Sequence, residues 1–334
     1  IIDNTKVAAT LTNFPVLLTN ILDGNFNSDF EAVLQADWDD IRFTSDRAGT
    51  VQLAADYSEL DVASGDTVIW VKVPSISSST DTEIWAWGGD SGASRPSRTD
   101  TYGNENAWDS NFQGVWHLGE DPSGGAPQVL DATSNTNDGT SGGTMLTEDL
   151  VSAQIADGLD FDGSDDFIGF GANPDLSNWA GITVEVWLKW ADTGSNEHII
   201  FSNWDGNGIK ASILFRLEPA GNIPQAFLII ASNTQIGGGA TVETIPANTF
   251  TKITVRYNKT DLSIWVDGVK DATTFSGTAN LDADVSGNEI EIGRSPHGGG
   301  VDEFDGIIDE VFISDTGRSD SWITTGYNNQ SSPS

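Results

Sequence analysis

The chain of 334 residues carries 50 acidic against 15 basic side chains, a formal net charge of −35. This charge repels nucleic-acid backbones and anionic lipid, so no nucleic-acid partner is expected and a membrane surface is a poor partner. It favours either a solvated, salt-adapted surface or dependence on a divalent cation. The absence of cysteine excludes a disulfide framework, and no apolar run reaches the roughly 20 residues of a membrane span, so no membrane insertion is expected.

Alternation of apolar and polar residues, typical of β-strands, recurs along the whole chain. One short helix is expected near the C-terminus, from an N-cap near Ser319 to about Tyr327. The stretch between Gly88 and Asn111 is polar and rich in turn-forming residues, which predicts a domain boundary there. The clearest alternating segments are residues 41–44, 68–73, 183–190, 252–257 and 262–266, the last followed by an Asp-Gly turn.

Five motifs in the second part of the chain resemble, in order, those of laminin-G-like modules with the concanavalin A-like jelly roll. The first hundred residues resemble a small β domain of unknown function that precedes such modules in bacterial surface adhesins. The five motifs are residues 131–140, 158–167, 182–190, 262–268 and 304–312, and the stretches that match the small domain are 14–18, 40–46, 68–74 and 107–112.

The resemblance implies an all-β fold. We expect residues 1–107 to form a small N-terminal β-sandwich domain. We expect residues 108–334 to form a jelly roll of two antiparallel sheets, against which the small domain packs. The chain opens at Ile1 without an initiator Met, so we expect a monomeric segment of a longer protein, located outside the cell or at the cell surface.

A calcium site is the chemistry for which the residues argue most directly. Calcium binds six to eight hard oxygen ligands, and residues 131–140 are rich in them. Asp309 and Glu310 have opposite strand parity, so one carboxylate points to the core and needs a cation or several donors. The resemblance implies that Asp309 meets the 131–140 loop around a structural Ca²⁺. The alternative is that both acids lie at solvated strand ends. The expected ligands are Asp131, Asn135, Asn137, Gly139 and Asp309.

Carbohydrate contacts are predicted in two polar loops and on one strand. Sugars are recognised by aromatic faces together with planar polar groups. Trp85 and Trp87 share one face of a strand, as a flat platform requires. Ordinary burial in the core is the alternative for every tryptophan. The two loops contribute Trp204, Asp205 and Asn207, and Arg294 and His297.

Catalysis is not expected. Glucanases with this fold carry paired carboxylates on one strand, and retaining chemistry needs them about 5–5.5 Å apart. The nearest approach is Glu303 with Asp305, followed by isoleucine at 307 and 308, so we expect this pair on a solvated edge. No Gly-x-Ser-x-Gly elbow or His-Glu-x-x-His motif is present.

The sequence therefore predicts a lectin-like module, stabilised by Ca²⁺, of a bacterial extracellular adhesin or polysaccharide-directed protein. Its expected partner is a polysaccharide or cell-surface glycan. A structural spacer or protein-binding module is the alternative, and a glycoside hydrolase is a more distant one. Much of this preference comes from likeness of fold.

Overall fold

The structure is a computed structural model that describes residues 1–19, 30, 32–61, 66–191, 197–204, 212–218, 222–240, 244–283, 289–296 and 302–332. The chain divides into two units. Unit 1 comprises residues 1–110, 132–134 and 321–334, and unit 2 comprises residues 111–131 and 135–320. The boundary expected after residue 107 stays a prediction.

Unit 1 contains two small antiparallel sheets. Its strands are β1 (Leu11–Thr19), β2 (Arg42–Thr44), β3 (Gln52–Leu53), β4 (Ala55–Asp61), β5 (Asp66–Ile76) and β6 (Trp85–Trp87), and short 3₁₀ turns lie at Asn4–Lys6 and Asn104–Asn106. Within the described residues, one sheet has the order β1-β5-β4 and the other β3-β2-β6.

Apolar cross-strand pairs hold the first sheet of unit 1 together. Phe14 lies opposite Val73 and Val16 opposite Val71, and all four side chains are buried. Such directly opposed pairs are the stabilising unit of an antiparallel sheet. These pairs join β1 to β5.

Unit 2 is a sandwich of two larger antiparallel sheets. The sheet orders among the described residues are β19-β18-β17-β12-β21-β10-β9, with β7 also paired to β21, and β16-β15-β14-β13-β20-β11-β8. A 3₁₀ turn lies at Thr147–Asp149, and a helix, α1 (Asp320–Ser331), follows the last strand and belongs almost wholly to unit 1. The strands are β7 (Phe112–Trp116), β8 (Thr140–Gly142), β9 (Leu150–Ser152), β10 (Asp157–Asp162), β11 (Phe167–Gly169), β12 (Ile182–Trp190), β13 (His198–Ser202), β14 (Ile213–Glu218), β15 (Ile223–Ile230), β16 (Thr234–Gly239), β17 (Thr251–Tyr257), β18 (Asp261–Val266), β19 (Val269–Ser276), β20 (Glu291–Ile292) and β21 (Asp305–Ser314).

Both sheets of unit 2 contribute to a single core. Val184 and Val186 of the eight-stranded sheet and Phe215 and Leu228 of the seven-stranded sheet belong to one buried cluster. Alternate residues of each strand therefore face the opposing sheet, as in aligned β-sandwiches. The predicted all-β, concanavalin-like fold is confirmed. No helix within the described ranges is long and apolar enough to cross a membrane.

Two local predictions are also found in the structure. Asp267 and Gly268 have φ of 50° and 71° and join β18 to β19. A two-residue hairpin with positive φ at both positions is the turn that an Asp-Gly pair favours. Helix α1 begins at Asp320, next to the predicted N-cap, and continues past its expected end at Tyr327 to Ser331.

A buried ion pair lies on the face of the eight-stranded sheet that points away from the sandwich core. Nζ of Lys252 on β17 is 2.7 Å from Oε2 of Glu185 on β12, and both side chains are at most 5% exposed. The ammonium makes no well-aligned hydrogen bond to any described residue. Attraction between the two charges therefore carries the pairing, and removing one partner leaves an uncompensated buried charge.

We expect Lys252→Met to lower the free energy of unfolding by about 3–5 kcal/mol, because the Glu185 carboxylate stays buried without its cation. The double variant Glu185→Gln/Lys252→Met should lose less than the sum of the two single variants, since neither charge remains. Urea unfolding of the four proteins gives both values. Lys189→Met is the control, because Lys189 is a half-buried lysine on the same strand as Glu185. A double variant whose loss of stability equals the sum of the two single losses would contradict the prediction.

Candidate functional site

Strand β21 meets two different strands along one edge. Residues 305–308 pair with β10, and residues 311–314 pair with β7. Asp309 and Glu310 lie between these pairings, where the register with β12 shifts by one residue and Glu310 has a φ of 50°. Because such a bulge interrupts the alternation of a strand, both acidic side chains are buried, at 0% and 2% exposure.

The Asp309 carboxylate has one oxygen bonded and one unbonded. Its Oδ2 accepts a hydrogen bond from the backbone N–H of Ile155 at 2.8 Å. Its Oδ1 is buried and has no hydrogen-bond partner in the described part of the chain. Burial, with a further contribution from the charge of Glu310, raises the pKa of Asp309 well above its ordinary value. A positive charge beside Oδ1 would remove this penalty.

Glu120 and His117 complete this buried acid cluster, which we define as His117, Glu120, Asp309 and Glu310. Nδ1 of His117 lies 2.7 Å from Oε2 of Glu310. Oε1 of Glu120 accepts the backbone N–H of Leu130 at 3.0 Å, whereas Oε2 is buried without a partner among the described residues. Burial raises the pKa of Glu120, and the charge of Glu310 raises it further.

The buried acid cluster has the donor chemistry that a hard cation prefers. It contains three carboxyl groups and one imidazole, and two of the buried carboxylate oxygens have no hydrogen-bond donor within the described residues. Calcium is bound through such oxygens. Asp309 and Glu120 each offer one such oxygen, but no three groups of this cluster bring their ligand atoms within 4.8 Å of one another.

The 131–140 loop is held by hydrogen bonds between its own groups and β7. Oδ1 of Asp131 accepts the N–H of Val115 at 3.1 Å, and Oδ2 accepts the N–H of Asn137 at 2.9 Å. The side-chain amide of Asn137 donates to the carbonyl of Gln113 at 2.6 Å. The structure thus brings Asp131 and Asn137 together and uses the carboxylate as an acceptor for the backbone.

The other two loop ligands expected from the sequence also make hydrogen bonds within the protein. The amide of Asn135 donates to the carbonyl of Phe112 at 2.9 Å. The N–H and C=O of Gly139 both bond to Val129. That these loop residues share a calcium ion with Asp309 stays a prediction.

A second acidic group lies in the turn between β10 and β11. Carboxylate oxygens of Asp162, Asp165 and Asp166 lie within 4.8 Å of one another. Burial raises the pKa of Asp166 to about 6, although the N–H groups of Asp162 and Thr144 donate to its oxygens. This acidic triad could also hold a metal ion.

A pocket of about 390 Å³ lies at the edge of the seven-stranded sheet, where β8, β11 and β20 are neighbours. Its walls combine hydroxyl groups, carboxylates, one guanidinium and one aromatic ring. We call it the Arg294 pocket. Its lining residues are Thr140, Ser141, Phe167, Gly169, Gly171, Glu289, Ile290, Glu291 and Arg294.

The Arg294 side chain is fixed on two sides. Its Nε and Nη2 donate to the two carboxylate oxygens of Glu291, at 2.8 and 3.0 Å. Its guanidinium carbon lies 3.3 Å from the centre of the Phe167 ring. A two-point bond together with a ring contact leaves the planar group with a single orientation. The remaining N–H groups of the fork can therefore point to a ligand at defined angles.

The loop that contains Trp204, which is also predicted to contact sugars, is joined to the Arg294 pocket by one hydrogen bond. The Trp204 carbonyl accepts the hydroxyl of Ser295, the residue after Arg294, at 2.9 Å. The Trp204 side chain is half-buried. The predicted contacts Asp205, Asn207 and His297 lie outside the described residues.

Sequence reasoning missed Glu291, Phe167 and the carboxyl of Glu120. Glu291 stands three residues before Arg294, a spacing that could have suggested the ion pair. Phe167 lies in a different motif, and only the pairing of β11 with β20 brings it close.

The expectation that Glu303 lies on a solvated edge is wrong. Its side chain is buried, at 8% exposure, and Oε2 has no hydrogen-bond partner within the described ranges. The cause is the next residue, because the fully buried ring of Phe304 makes edge contacts with Phe161 and His198. Those contacts hold the start of β21 inside the sandwich.

Comparison with protein families identifies two regions. Residues 162–324 match the Laminin_G_3 family, described as the concanavalin A-like lectin/glucanases superfamily. Residues 37–113 match DUF2341, a domain of unknown function. Both resemblances expected from the sequence are confirmed, in the predicted order. A search of the curated proteins found no match.

Several solved structures are similar to this chain. Domain 4 of AbnA, an extracellular GH43 arabinanase from Geobacillus stearothermophilus solved with arabinotriose, is 19% identical, over 64% of this chain and 97% of that chain, with a TM-score of 0.47. The binding domain of botulinum neurotoxin serotype G is 15% identical over 66% and 52%, with a TM-score of 0.48. That of serotype D is 13% identical over 68% and 53%, with a TM-score of 0.47. The alignment spans about half the length of the two toxin domains.

In calcium-free buffer, we expect Asp309→Asn to gain stability relative to the wild type as the pH rises. The pKa of Asp309 in the folded protein is raised above its ordinary value of 3.8. Its contribution to stability is therefore complete below pH 3.8 and is lost as the pH rises through the higher folded-state pKa. Urea unfolding of both proteins between pH 4 and pH 8 measures the difference. A constant difference over this range would contradict the prediction.

Proposed function

We propose that this chain, in which a concanavalin A-like domain follows a DUF2341 domain, is a carbohydrate-binding module stabilised by calcium. It would serve a bacterial extracellular adhesin or polysaccharide-directed protein, with a polysaccharide or cell-surface glycan as its partner. The observation that carries the proposal is the Arg294 pocket. In this pocket a fixed guanidinium–carboxylate pair lies on an aromatic ring beside hydroxyl groups.

The groups of the Arg294 pocket fit the chemistry of a sugar. Adjacent sugar hydroxyls both donate and accept hydrogen bonds, so they pair with a donor fork and with carboxylate acceptors. Arg294 supplies the donors, and the exposed carboxylate of Glu289 supplies acceptors. A volume of about 390 Å³ lies near the lower end of the range for small-molecule sites, which suits about one or two sugar rings.

Four further contacts with the sugar belong to the proposal from the sequence. Trp204 adjoins the Arg294 loop through Ser295. Asp205, Asn207 and His297 are proposed on residue type and position alone. Small-molecule pockets combine aromatic walls with a few polar groups that fix the orientation of the ligand.

Calcium is proposed at Asp309 and Glu120, because each has a buried carboxylate oxygen without a donor among the described residues. The ion would supply positive charge at the junction of β7, β10 and β21, a structural role. It would offset the cost of burying the two carboxylates and stabilise the folded state by mass action.

The proposal gives the chain no catalytic role. Glu303 and Asp305 are followed by Ile307 and Ile308, so the strand supplies no second carboxylate of the glucanase pattern. A structural spacer or protein-binding module is the alternative, and failure of every glycan test in the presence of calcium would favour it.

Arg294→Ala should weaken glycan binding at least tenfold, because it removes the donors that the pocket holds in place. The measurement is a glycan array in calcium buffer, followed by calorimetry with the best ligand. Arg216→Ala is the matched control: Arg216 also pairs with a glutamate, Glu197, and contacts a ring, that of Phe227, but it does not line the pocket. Equal binding by both variants would contradict the assignment.

Calcium should raise the Tm of the wild type by several degrees and leave that of Asp309→Asn nearly unchanged, because the variant lacks the carboxylate proposed to bind the ion. Thermal unfolding with EDTA and with excess CaCl₂ measures both shifts. Asp162→Asn is the control that separates the acidic triad from the buried acid cluster. A shift retained in Asp309→Asn but lost in Asp162→Asn would place the ion in the triad and overturn the Asp309 assignment.

A further inference from the structure

The sheet β3-β2-β6 of unit 1 has its largest side chains on the face opposite its core. Phe43 of β2 and Leu53 of β3 are opposite each other and buried, and Ala86 of β6 pairs with Phe43 and so shares that face. Because side chains alternate along a strand, Trp85 and Trp87 occupy the other face. Trp87 is 40% exposed and Trp85 is half-buried. In a strand that served only to pack against its core, the two indole side chains would be buried and the alanine would be exposed.

The two indoles form a surface that is fixed before any ligand arrives. Nε1 of Trp87 donates to Oγ1 of Thr44 at 2.8 Å. Gly49 lies against the Trp87 ring so closely that a Cβ at this position would be 3.2 Å from two of the ring carbons. The guanidinium of Arg47 lies 5.4 Å from the centre of the Trp85 ring. These contacts hold the Trp87 ring in one orientation and bring Arg47 over Trp85.

The turn that contributes Arg47 and Gly49 is itself held by one carboxylate. Oδ1 of Asp46 accepts the backbone N–H groups of Thr50 and Val51, and Oδ2 accepts the hydroxyl of Thr50. The Thr50 hydroxyl and then the Val51 N–H lower the pKa of Asp46, so the carboxylate stays ionised and keeps these bonds. The position of the turn beside the rings is therefore part of the folded structure.

We propose that Trp85 and Trp87 form a second carbohydrate-binding surface, in unit 1, that stacks on consecutive rings of a neutral pyranose chain. Because the Trp87 N–H is already bonded within the protein, this residue offers the face and edge of its ring, which suit the apolar C–H face of a sugar. Positions i and i+2 of a strand are about 6.6 Å apart, so the two rings lie side by side along the strand.

Charge selects a neutral chain over an acidic one. Two cations adjoin this surface: Arg47 lies over Trp85, next to Asp46 in the sequence, and Arg42 of β2 lies opposite Trp87 with its guanidinium bonded to backbone carbonyls. A polyanionic glycan would be repelled by the net charge of −35 that the chain carries. A neutral sugar incurs no such repulsion, and the Arg47 guanidinium can still donate to its hydroxyls.

The experiment uses the whole chain carrying Arg294→Ala, so that binding through the Arg294 pocket is removed. Native gels containing barley β-glucan, laminarin, galactomannan or arabinoxylan measure retardation, and a concentration series gives the dissociation constant. We expect at least one of the four polysaccharides to retard this protein. Adding Trp87→Ala should raise the dissociation constant at least tenfold, and Trp85→Ala should raise it by a smaller factor.

Two further variants separate stacking from a general loss of structure. Trp87→Phe keeps an aromatic face and should retain most of the binding. Tyr102→Ala removes another aromatic side chain of unit 1, 37% exposed, and should leave binding unchanged. Tm values measured beside each gel show that the variants are folded.

Absence of retardation by all four polysaccharides, or unchanged retardation after Trp87→Ala, would overturn this inference. A self-association in sedimentation that Trp87→Ala abolishes would also overturn it, since the occupant would then be a second copy of the chain. The inference does not rest on the Arg294 pocket. In the otherwise wild-type chain, binding that Arg294→Ala leaves unchanged and Trp87→Ala abolishes would refute the Arg294 pocket and support the surface formed by Trp85 and Trp87.

Discussion

The Asp309 carboxylate lies where β7 and β10 both meet the edge of β21, and it is fully buried. One oxygen is bonded to the Ile155 N–H and the other has no donor among the described residues. Three strands thus converge on a group whose charged form is unfavourable unless positive charge is supplied. The stability of this junction depends on how that charge is neutralised, by a proton or by a cation.

Other buried acids of unit 2 have hydrogen-bond donors or a cation beside their carboxylates. Asp131 accepts two backbone N–H groups, one on each carboxylate oxygen. Glu185 has a buried lysine at 2.7 Å. Glu291 is bonded at both oxygens to Arg294. Asp309, Glu120 and Glu303 differ from these acids, because each has a buried carboxylate oxygen without a hydrogen-bond donor among the described residues.

The strands could be predicted from the sequence because their alternation has a period of two and one face of each sheet is buried. The same rule failed at Asp309 and Glu310. Opposite parity predicted one buried carboxylate, whereas the bulge, with φ of 50° at Glu310, buries both. A one-residue bulge leaves no pattern in a single sequence, and neither does the long-range packing of Phe304 that buries Glu303. Arg294 was predicted from residue type, but the ring beneath it comes from a strand more than a hundred residues away.

Net charge and the buried acid cluster respond to cations in different ways. Salt screens the repulsion between exposed carboxylates. This effect depends on ionic strength and is large for charges that are more than a Debye length apart. Screening by bulk salt acts weakly on a buried carboxylate oxygen without a donor, so such an oxygen needs a partner in direct contact. An ion bound there saturates at one site and is lost with one side chain. The proposed sugar-binding groups differ likewise: the Arg294–Glu291 pair and the Trp87 ring are already fixed by contacts within the protein, so binding would require little ordering of either.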